Sequence, residues 1–82
     1  MFHKVKCVKA LDNYILEITF ENNETKYYDI KPLFEKWKIF QNLKNIYGLF
    51  ENVKVDSGGY GISWNDEIDL SCEELYNNGQ KK

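Results

Sequence analysis

The sequence predicts an α+β domain: an N-terminal three-stranded antiparallel meander, short helical segments, a second hairpin and a short C-terminal helix. Two observations carry this prediction. Apolar and polar residues alternate with a period of two through residues 14–21, which is typical of a strand with one buried face. After Pro32 the apolar residues recur at helical spacing instead, and Ser71 with Glu74 three positions later is typical of a helix start.

The length and composition are those of one small domain with a core of large rings. The chain has 82 residues, of which 43% are hydrophobic and 16% aromatic. Since one aromatic side chain buries roughly 150–250 Å², a few rings can supply much of the core. We expect a single domain over residues 1–76 and a disordered polar tail, NNGQKK, over residues 77–82.

The N-terminal part of the chain predicts the meander. Val5–Leu11 mixes apolar and β-branched residues with lysines, as expected of a first strand. LDNY then supplies a turn, because Asn13 tolerates a left-handed backbone, and residues 14–21 form the second strand. ENNE marks the next turn, before a third strand over residues 25–30.

The middle of the chain predicts short helices. Pro32 fits the first turn of a helix over residues 31–38, whose apolar side chains share one face. Further along, Asn45 is predicted to cap a second helical turn over residues 46–50.

The glycine-rich stretch VDSGGYGISWNDEID, residues 55–69, predicts two turns that join short strands. A phosphate-binding loop needs a following helix whose N-terminus points at the anion, but the residues after Gly61 read as a strand. A calcium loop starting at Asp56 would place Gly58 and Tyr60 where oxygen ligands are needed. We therefore expect a hairpin turn with a bulge, and neither a cofactor nor a metal.

The last element has a clear signature. Ser71 and Glu74 form a capping box that predicts a helix over residues 72–76. The residues at 77–79, Asn-Asn-Gly, accept the left-handed conformation and are predicted to end that helix.

The charge and the residue usage argue against several functions. The formal net charge is -2, and all 11 basic residues are lysine. Arginine is the preferred residue for bidentate contacts to phosphates and bases, so we expect no nucleic-acid partner. The N-terminus lacks the apolar run of a signal peptide, and no later stretch could span a bilayer. The sequence therefore predicts a cytoplasmic protein without membrane contact.

The reactive side chains do not predict an active site. Cys7 and Cys72 are expected to be two separately buried thiols, with a disulfide as the alternative. His3 is the only histidine, so a zinc site would need both cysteines and a carboxylate. Cys7 lies in a strand pattern without an obvious base, and Cys72 lies in the first turn of a helix, where a buried thiol is expected over a reactive one. No serine or threonine lies in an elbow motif. We predict no catalytic residues and a protein that is not an enzyme.

Three motifs carry a resemblance to a known family. They are Tyr28-Asp29-Ile30-x-Pro32-Leu33, Gly61-x-x-Trp64 and Asp69-Leu70-x-x-x-x-Leu75-Tyr76. Together they resemble the domain-of-unknown-function family 2442, a set of small bacterial proteins, from residue 5 to residue 76. The resemblance implies a compact α+β domain without a catalytic motif. Members occur alone or joined to a helix-turn-helix DNA-binding domain, often beside another small protein in a toxin–antitoxin arrangement. An antitoxin-like role toward the product of a neighbouring gene is therefore implied.

The aromatic residues between Leu33 and Phe50 form the candidate binding surface. Most of these rings are expected in the core, but a short chain cannot bury them all, and exposed aromatic surface marks interaction sites. The predicted partner-binding residues are Phe34, Trp37, Phe40 and Tyr47 as anchors, and Asp66, Glu67 and Asp69 as charges complementary to a basic partner. The sequence therefore predicts a non-catalytic protein–protein interaction module whose partner is another protein.

Two other functions stay open. A small-ligand-binding or enzymatic domain would use a pocket between Gly58 and Trp64, and its ligand would raise the melting temperature. A structural homodimer or other homo-oligomer would use a free sheet edge, and light scattering would detect it.

Overall fold

The chain folds into two antiparallel sheets and three short helices, described by a computed structural model for residues 2–81. Met1 and Lys82, the first residue of the predicted domain and the last of the predicted tail, lie outside the described residues. The strands are β1 (Val5–Leu11), β2 (Ile15–Phe20), β3 (Thr25–Asp29), β4 (Lys54–Val55), β5 (Gly61–Ser63) and β6 (Asp69–Ser71). The helices are α1 (Lys31–Lys36), α2 (Asn42–Asn45) and α3 (Cys72–Asn78). The predicted α+β class is confirmed.

The first sheet is the predicted meander, with β2 in the centre between β1 and β3. Its register pairs Ile18 with Val8 on one side and with Lys26 on the other. Leu16, Ile18 and Phe20 point to the same face of β2 and are completely buried. The period of two in the sequence thus marks the buried face of this sheet.

Asparagine residues make both turns of the meander. Asn13 and Asn23 have φ angles of 63° and 70°, in the left-handed region that asparagine tolerates better than most residues. At the second turn, the side-chain oxygen of Asn22 accepts a hydrogen bond of 3.0 Å from the backbone N–H of Glu24. Both turns lie where the sequence predicts them.

Helix α1 is shorter than the predicted helix over residues 31–38. Pro32 lies in its first turn, as predicted, and the helix ends at Lys36. The next residue, Trp37, is extended at φ -133° and ψ 121°. This early end turns the Trp37 side chain away from the face that α1 buries.

The prediction that Asn45 caps a helical turn over residues 46–50 is wrong. Asn45 is the last residue of α2, and the backbone N–H of Ile46 closes that helix by donating to the carbonyl of Asn42 at 2.9 Å. Gly48, at φ 80°, then reverses the chain. Short polar residues suit both ends of a helix, so the sequence signal did not specify which end Asn45 occupies.

The second sheet has the order β4–β5–β6, so the predicted hairpin gains a third strand. Ile62 in the central strand pairs with Val55 and with Leu70. The glycine-rich loop before β5 is a turn, as predicted, and it packs against the first sheet. At Gly59, φ is 81° and an added Cβ would lie 2.7 Å from the carbonyl oxygen of Val5. Only glycine permits this approach.

Helix α3 begins at the predicted cap. The Ser71 hydroxyl accepts a hydrogen bond of 3.1 Å from the backbone N–H of Glu74. The return half of the capping box is replaced, because the Glu74 carboxylate accepts a hydrogen bond of 2.7 Å from the Tyr28 hydroxyl. The hydrogen bond between Tyr28 and Glu74 connects α3 to β3.

The chain end differs from the disordered tail predicted for residues 77–82. Helix α3 continues to Asn78, and Gln80 pairs with Tyr27 through two backbone hydrogen bonds of 2.8 Å. Gly79 is extended at φ -73° and is not left-handed. A Cβ at Gly79 would lie 2.6 Å from a carbonyl oxygen of α3, so the close packing requires glycine for lack of space.

Both sheets and all three helices contribute to one core. Its largest completely buried side chains are Phe20, Leu16, Ile18, Ile30, Ile62, Ile68 and Leu75. The indole N–H of Trp64 donates a buried hydrogen bond of 3.0 Å to the carbonyl of Phe50. Within residues 2–81, every buried side-chain nitrogen or oxygen has a hydrogen-bond partner. No helix in that range has the length and apolar character needed to cross a membrane.

Candidate interaction surface

The structure divides the four aromatic residues predicted to contact a partner. Phe34 and Phe40 are only 7% and 5% exposed, so they belong to the core and are not available as anchors. Trp37 is 46% exposed, and Tyr47 is fully exposed. Helical spacing in the sequence places Phe34 and Trp37 on one face of a helix. It could not separate the buried from the exposed ring, because α1 ends at Lys36, between the two residues.

Trp37 lies on the surface above the core. Its ring centroid is 5.8 Å from that of Phe40, which supports the indole from below. The Nζ atom of Lys36 lies 4.7 Å from the centre of the Trp37 ring, within the range of a cation–π contact. An exposed aromatic ring and a cation are therefore presented together.

Tyr47 stands at the edge of an open cleft of about 450 Å³. The cleft is lined by Tyr14, Leu43, Lys44, Ile46, Tyr47, Gly48, Phe50 and Glu51. We call it the Tyr47 cleft. Ile46 on its wall is 51% exposed, and the positive φ of Gly48 turns the chain immediately after Tyr47. Two large apolar side chains thus flank one concave surface.

The floor of the Tyr47 cleft is held by packed rings. Tyr14 makes edge-to-face contacts with Phe34 and Phe50, at centroid distances of 5.4 Å and 5.1 Å. Phe50 in turn stacks on Trp64 at 6.5 Å. The Nζ atom of Lys44 lies 5.1 Å from the centre of the Phe34 ring. The cleft is therefore built on the core.

Three exposed lysines lie in the part of the chain that carries Trp37 and the Tyr47 cleft, a feature that the prediction of a basic partner overlooked. Lys36, Lys38 and Lys44 are exposed, and no ion pair within residues 2–81 involves any of them. Lys31, by contrast, pairs with Asp29 at 2.9 Å. The local count of charges between residues 31 and 50, four lysines against one glutamate, could have revealed this from sequence.

The predicted acidic residues lie on the second sheet and its turn. Asp66 and Glu67 are exposed in the turn between β5 and β6, where the Asn65 side chain accepts backbone hydrogen bonds. Asp69 lies on β6, beside Tyr60. Among the described residues, no hydrogen bond, ion pair or ring contact joins these carboxylates to Trp37 or to the Tyr47 cleft. The predicted charges and the predicted aromatic anchors therefore come from different elements of the fold.

The alternative pocket between Gly58 and Trp64 corresponds to a shallow depression of about 240 Å³. It is lined by Asp56, Tyr60, Gly61, Asp69, Leu70 and Ser71. Its volume is below the roughly 300–1,000 Å³ of typical small-ligand sites. The Asp56 carboxylate already accepts a hydrogen bond of 2.6 Å from the Ser63 hydroxyl. This depression therefore has less capacity for a ligand than the Tyr47 cleft.

The two cysteines are free and differ in exposure. Cys72 is buried in the first turn of α3, and burial raises its pKa, which disfavours the reactive thiolate. Cys7 is exposed, so the expectation of two buried thiols is wrong for this residue. Its side chain lies on the face of β1 opposite to the core, level with Thr19 of β2. Within residues 2–81, no three potential metal ligands cluster together.

A polar cluster away from these sites joins the two ends of the described chain. The ring of His3 stacks on Tyr76 at 3.6 Å, and its backbone N–H donates to the Glu73 carboxylate at 2.7 Å. Lys26 Nζ lies 3.7 Å from the centre of the Tyr76 ring, and the Tyr76 hydroxyl donates to Glu24. These hydrogen bonds hold the pKa values of Glu24 and Glu73 below their usual value. The groups of this cluster therefore bond mainly to one another.

Comparison with known proteins places most of the chain in one family. A family model described as "Protein of unknown function (DUF2442)" matches residues 5–81. No curated protein matches the sequence.

A crystal structure from Nitrosomonas europaea has the same fold. The protein is named "Putative DNA Binding Protein", and its structure aligns with a TM-score of 0.76 and 21% identity. The alignment covers 92% of this chain and 47% of the other, so the present chain spans about half of that protein's length. At this identity the likeness concerns the fold alone.

The name of this neighbour contradicts the expectation of no nucleic-acid partner. That expectation depended on the net charge and the missing arginines. Both describe the whole chain and overlook the exposed lysines beside Trp37 and the Tyr47 cleft. The exclusion of nucleic acid is therefore withdrawn.

Proposed function

The chain belongs to DUF2442, a family of proteins of unknown function, and on that premise we propose that it is a non-catalytic protein–protein interaction module. The proposed binding surface is the Tyr47 cleft, with Trp37 contributing from the extended residue that follows α1. We propose that its partner is another protein and that the domain performs no chemistry of its own.

The observation that carries this proposal is the exposure of large apolar side chains around a concave surface. Tyr47 and Ile46, two consecutive large side chains of the cleft lining, expose more than half of their area. Exposed apolar side chains are common singly, but a cluster beside a cleft is typical of a binding site. Tyrosine and tryptophan are also the residues that most often dominate the energy of protein interfaces.

The family resemblance, which implies a toxin–antitoxin arrangement, suggests where such a partner protein would come from. An antitoxin-like role would require a stable complex with the product of a neighbouring gene. The proposal of an interaction module does not depend on that role, because it derives from the Tyr47 cleft. A homodimer is a separate outcome, which the oligomeric state of the purified protein would reveal.

The experiment is a quantitative capture from nuclease-treated lysate of the organism that encodes the chain, using wild type, Tyr47→Ser and Tyr60→Ser. Tyr60 is the matched control, because it is half exposed but lies in the other depression. We expect one stoichiometric protein with wild type and Tyr60→Ser. Tyr47→Ser should bind that protein at least about fivefold more weakly, corresponding to the ~1 kcal/mol expected of an interface anchor.

Three results would contradict the proposal. Capture that is unaffected by Tyr47→Ser, in a variant with unchanged melting temperature, would exclude the Tyr47 cleft. Loss with Tyr60→Ser alone would favour the depression beside Asp69. Recovery of nucleic acid in place of a protein, when nuclease is omitted, would make this chain a nucleic-acid-binding domain.

A further inference from the structure

We propose that the occupant of the Tyr47 cleft is an acidic amphipathic segment of the partner protein. An aliphatic side chain of that segment would enter the cleft, and its carboxylates would pair with Lys44 and the neighbouring lysines. This inference rests on the proposed function and names the chemistry of the partner. It reverses the sign of the charge that the sequence predicted for that partner.

The lining of the cleft fits an aliphatic side chain. Leu43, Ile46 and Phe50 supply apolar walls, and Tyr14 closes the floor through its contacts with buried rings. An amphipathic helix binds such a groove by inserting residues from one face while its polar face stays in water. The fully exposed Tyr47 ring would then cover one side of the inserted helix.

The positive charges at the cleft favour acidic residues on the polar face of the bound partner segment. Lys44 is part of the lining, and no described carboxylate lies within ion-pair distance of it. Covering an ammonium group without a partner charge is costly, so a bound segment must supply acids on that side. Lys36 at the end of α1 and Lys38 just after Trp37 are two further exposed lysines, and neither forms an ion pair within residues 2–81. Glu51 is the single carboxylate of the lining.

The same charges disfavour a second copy of the chain as the occupant. In a two-fold symmetric dimer the same patch lies on both sides of the interface, so the unpaired lysines of both copies would come together. Like charges facing each other across an interface cost free energy. A partner with carboxylates on its polar face avoids this repulsion.

The test uses three fluorescein-labelled probes and measures their binding by anisotropy. The first is a helical peptide of about 15 residues with leucines along one face and glutamates elsewhere. The second has lysine in place of every glutamate, and the third is single-stranded oligothymidine. We expect the acidic peptide to bind wild type at least ~10-fold more tightly than the lysine peptide, with an affinity that falls as salt is added.

Charge reversal at the cleft provides the matched comparison. Lys44→Glu should weaken binding of the acidic peptide by at least ~10-fold and strengthen binding of the lysine peptide. Lys54→Glu is the control, because Lys54 is an exposed lysine on β4 that does not line the cleft and forms no ion pair within residues 2–81. It should leave both affinities within about twofold of wild type, since exposed charges away from the cleft are screened.

Several outcomes would overturn the inference. Equal binding of both peptides, no binding of the acidic peptide, or equal effects of Lys44→Glu and Lys54→Glu would exclude an acidic occupant. Binding of oligothymidine alone would identify the cleft as a nucleic-acid site. If the acidic peptide fails while Tyr47→Ser still abolishes capture of a partner protein, only this inference is lost. If Tyr47→Ser has no effect on capture, the proposed function itself is lost.

Discussion

Trp37 and Trp64 show how one residue type takes two roles within a single small domain. Trp64 is buried, stacks on Phe50 and donates its indole N–H to the Phe50 carbonyl. Trp37 has the same side chain but lies on the surface beside Lys36. Burial of the ring serves stability in the first case, and in the second the ring keeps about half of its surface in contact with solvent.

Trp64→Phe should therefore destabilise the fold. The smaller ring keeps most of the apolar contact, but the Phe50 carbonyl loses its buried donor. We expect a loss of about 1–3 kcal/mol in the free energy of unfolding, measured by urea denaturation followed by circular dichroism. Trp37→Phe is the control and should stay within about 0.5 kcal/mol of wild type, because the indole is half exposed. Equal losses of unfolding free energy in the two variants would contradict a stabilising role for the indole hydrogen bond of Trp64.

At the level of single residues, the candidate site was only partly predictable from the sequence. The sequence singled out the exposed Trp37 and Tyr47, but it assigned the buried Phe34 and Phe40 to the same set because all four are aromatic residues of one segment. Their separation depends on the end of α1 at Lys36 and on the turn at Gly48, which periodicity cannot locate. The lysines were visible in sequence, yet averaging the charge over the chain concealed them.

Among the elements, the glycine-rich loop before β5 shows a function of glycine that the sequence left open. Its turn was predictable from Ser57-Gly58-Gly59, but its contact with β1 was not, because β1 lies at the other end of the chain. Gly59 allows the two sheets to meet where a Cβ would strike the Val5 carbonyl. The loop therefore brings the second sheet into contact with the first.

Gly59→Ala should cost more than Gly48→Ala. Both glycines have φ near 80°, a conformation that costs a residue with a Cβ about 1–2 kcal/mol. An added Cβ at Gly48 meets nothing within 4 Å, whereas at Gly59 it would lie 2.7 Å from a backbone oxygen. We expect Gly59→Ala to lose at least ~1 kcal/mol more than Gly48→Ala in urea unfolding. Similar losses of stability in the two variants would mean that the left-handed backbone conformation alone explains the cost of adding a Cβ.

The regular elements were predicted best where the local signal and the packing agree. The period of two in β2 and the cap at Ser71 are local, and both are confirmed. Asn45 was misassigned because its helix signal is compatible with either end of a helix. The order of Gln80 could not be predicted, because it depends on pairing with Tyr27 far away in sequence.

At the scale of the whole molecule, the two ends of the described chain are joined to the same part of the fold. His3 and Glu73 connect the N-terminal segment to α3, and Tyr76 connects α3 to Glu24 in the turn before β3. Gln80 adds backbone pairing to the edge of β3. These contacts close the molecule around its shared core.

The closure should make stability depend on pH. The pKa of Glu24 is lowered by the hydrogen bond from Tyr76, and that of Glu73 by the backbone N–H of His3. A lowered folded-state pKa contributes stability above the ordinary glutamate pKa of about 4.3, and this contribution is lost as the pH falls further. The double variant Glu24→Gln/Glu73→Gln should therefore be less stable than wild type at pH 7.

Urea unfolding between pH 7 and pH 3 would measure this effect. The difference between wild type and the double variant should shrink as the pH falls, because wild type loses the charged form as well. Glu21→Gln is the control, since Glu21 is exposed and its side chain has no partner within residues 2–81. A constant difference across the whole range would show that the carboxylate charges do not contribute.

The unequal burial of the two tryptophans gives the molecule two optical reporters. Indole emission shifts to longer wavelength in water, so Trp64 should emit at the blue side and Trp37 at the red side of the spectrum. A Trp37→Phe protein would then report only on unfolding, through Trp64. In wild type, protection of the red component from acrylamide quenching would report on occupation of the neighbouring surface. Folding and binding could thus be followed separately without attaching a label.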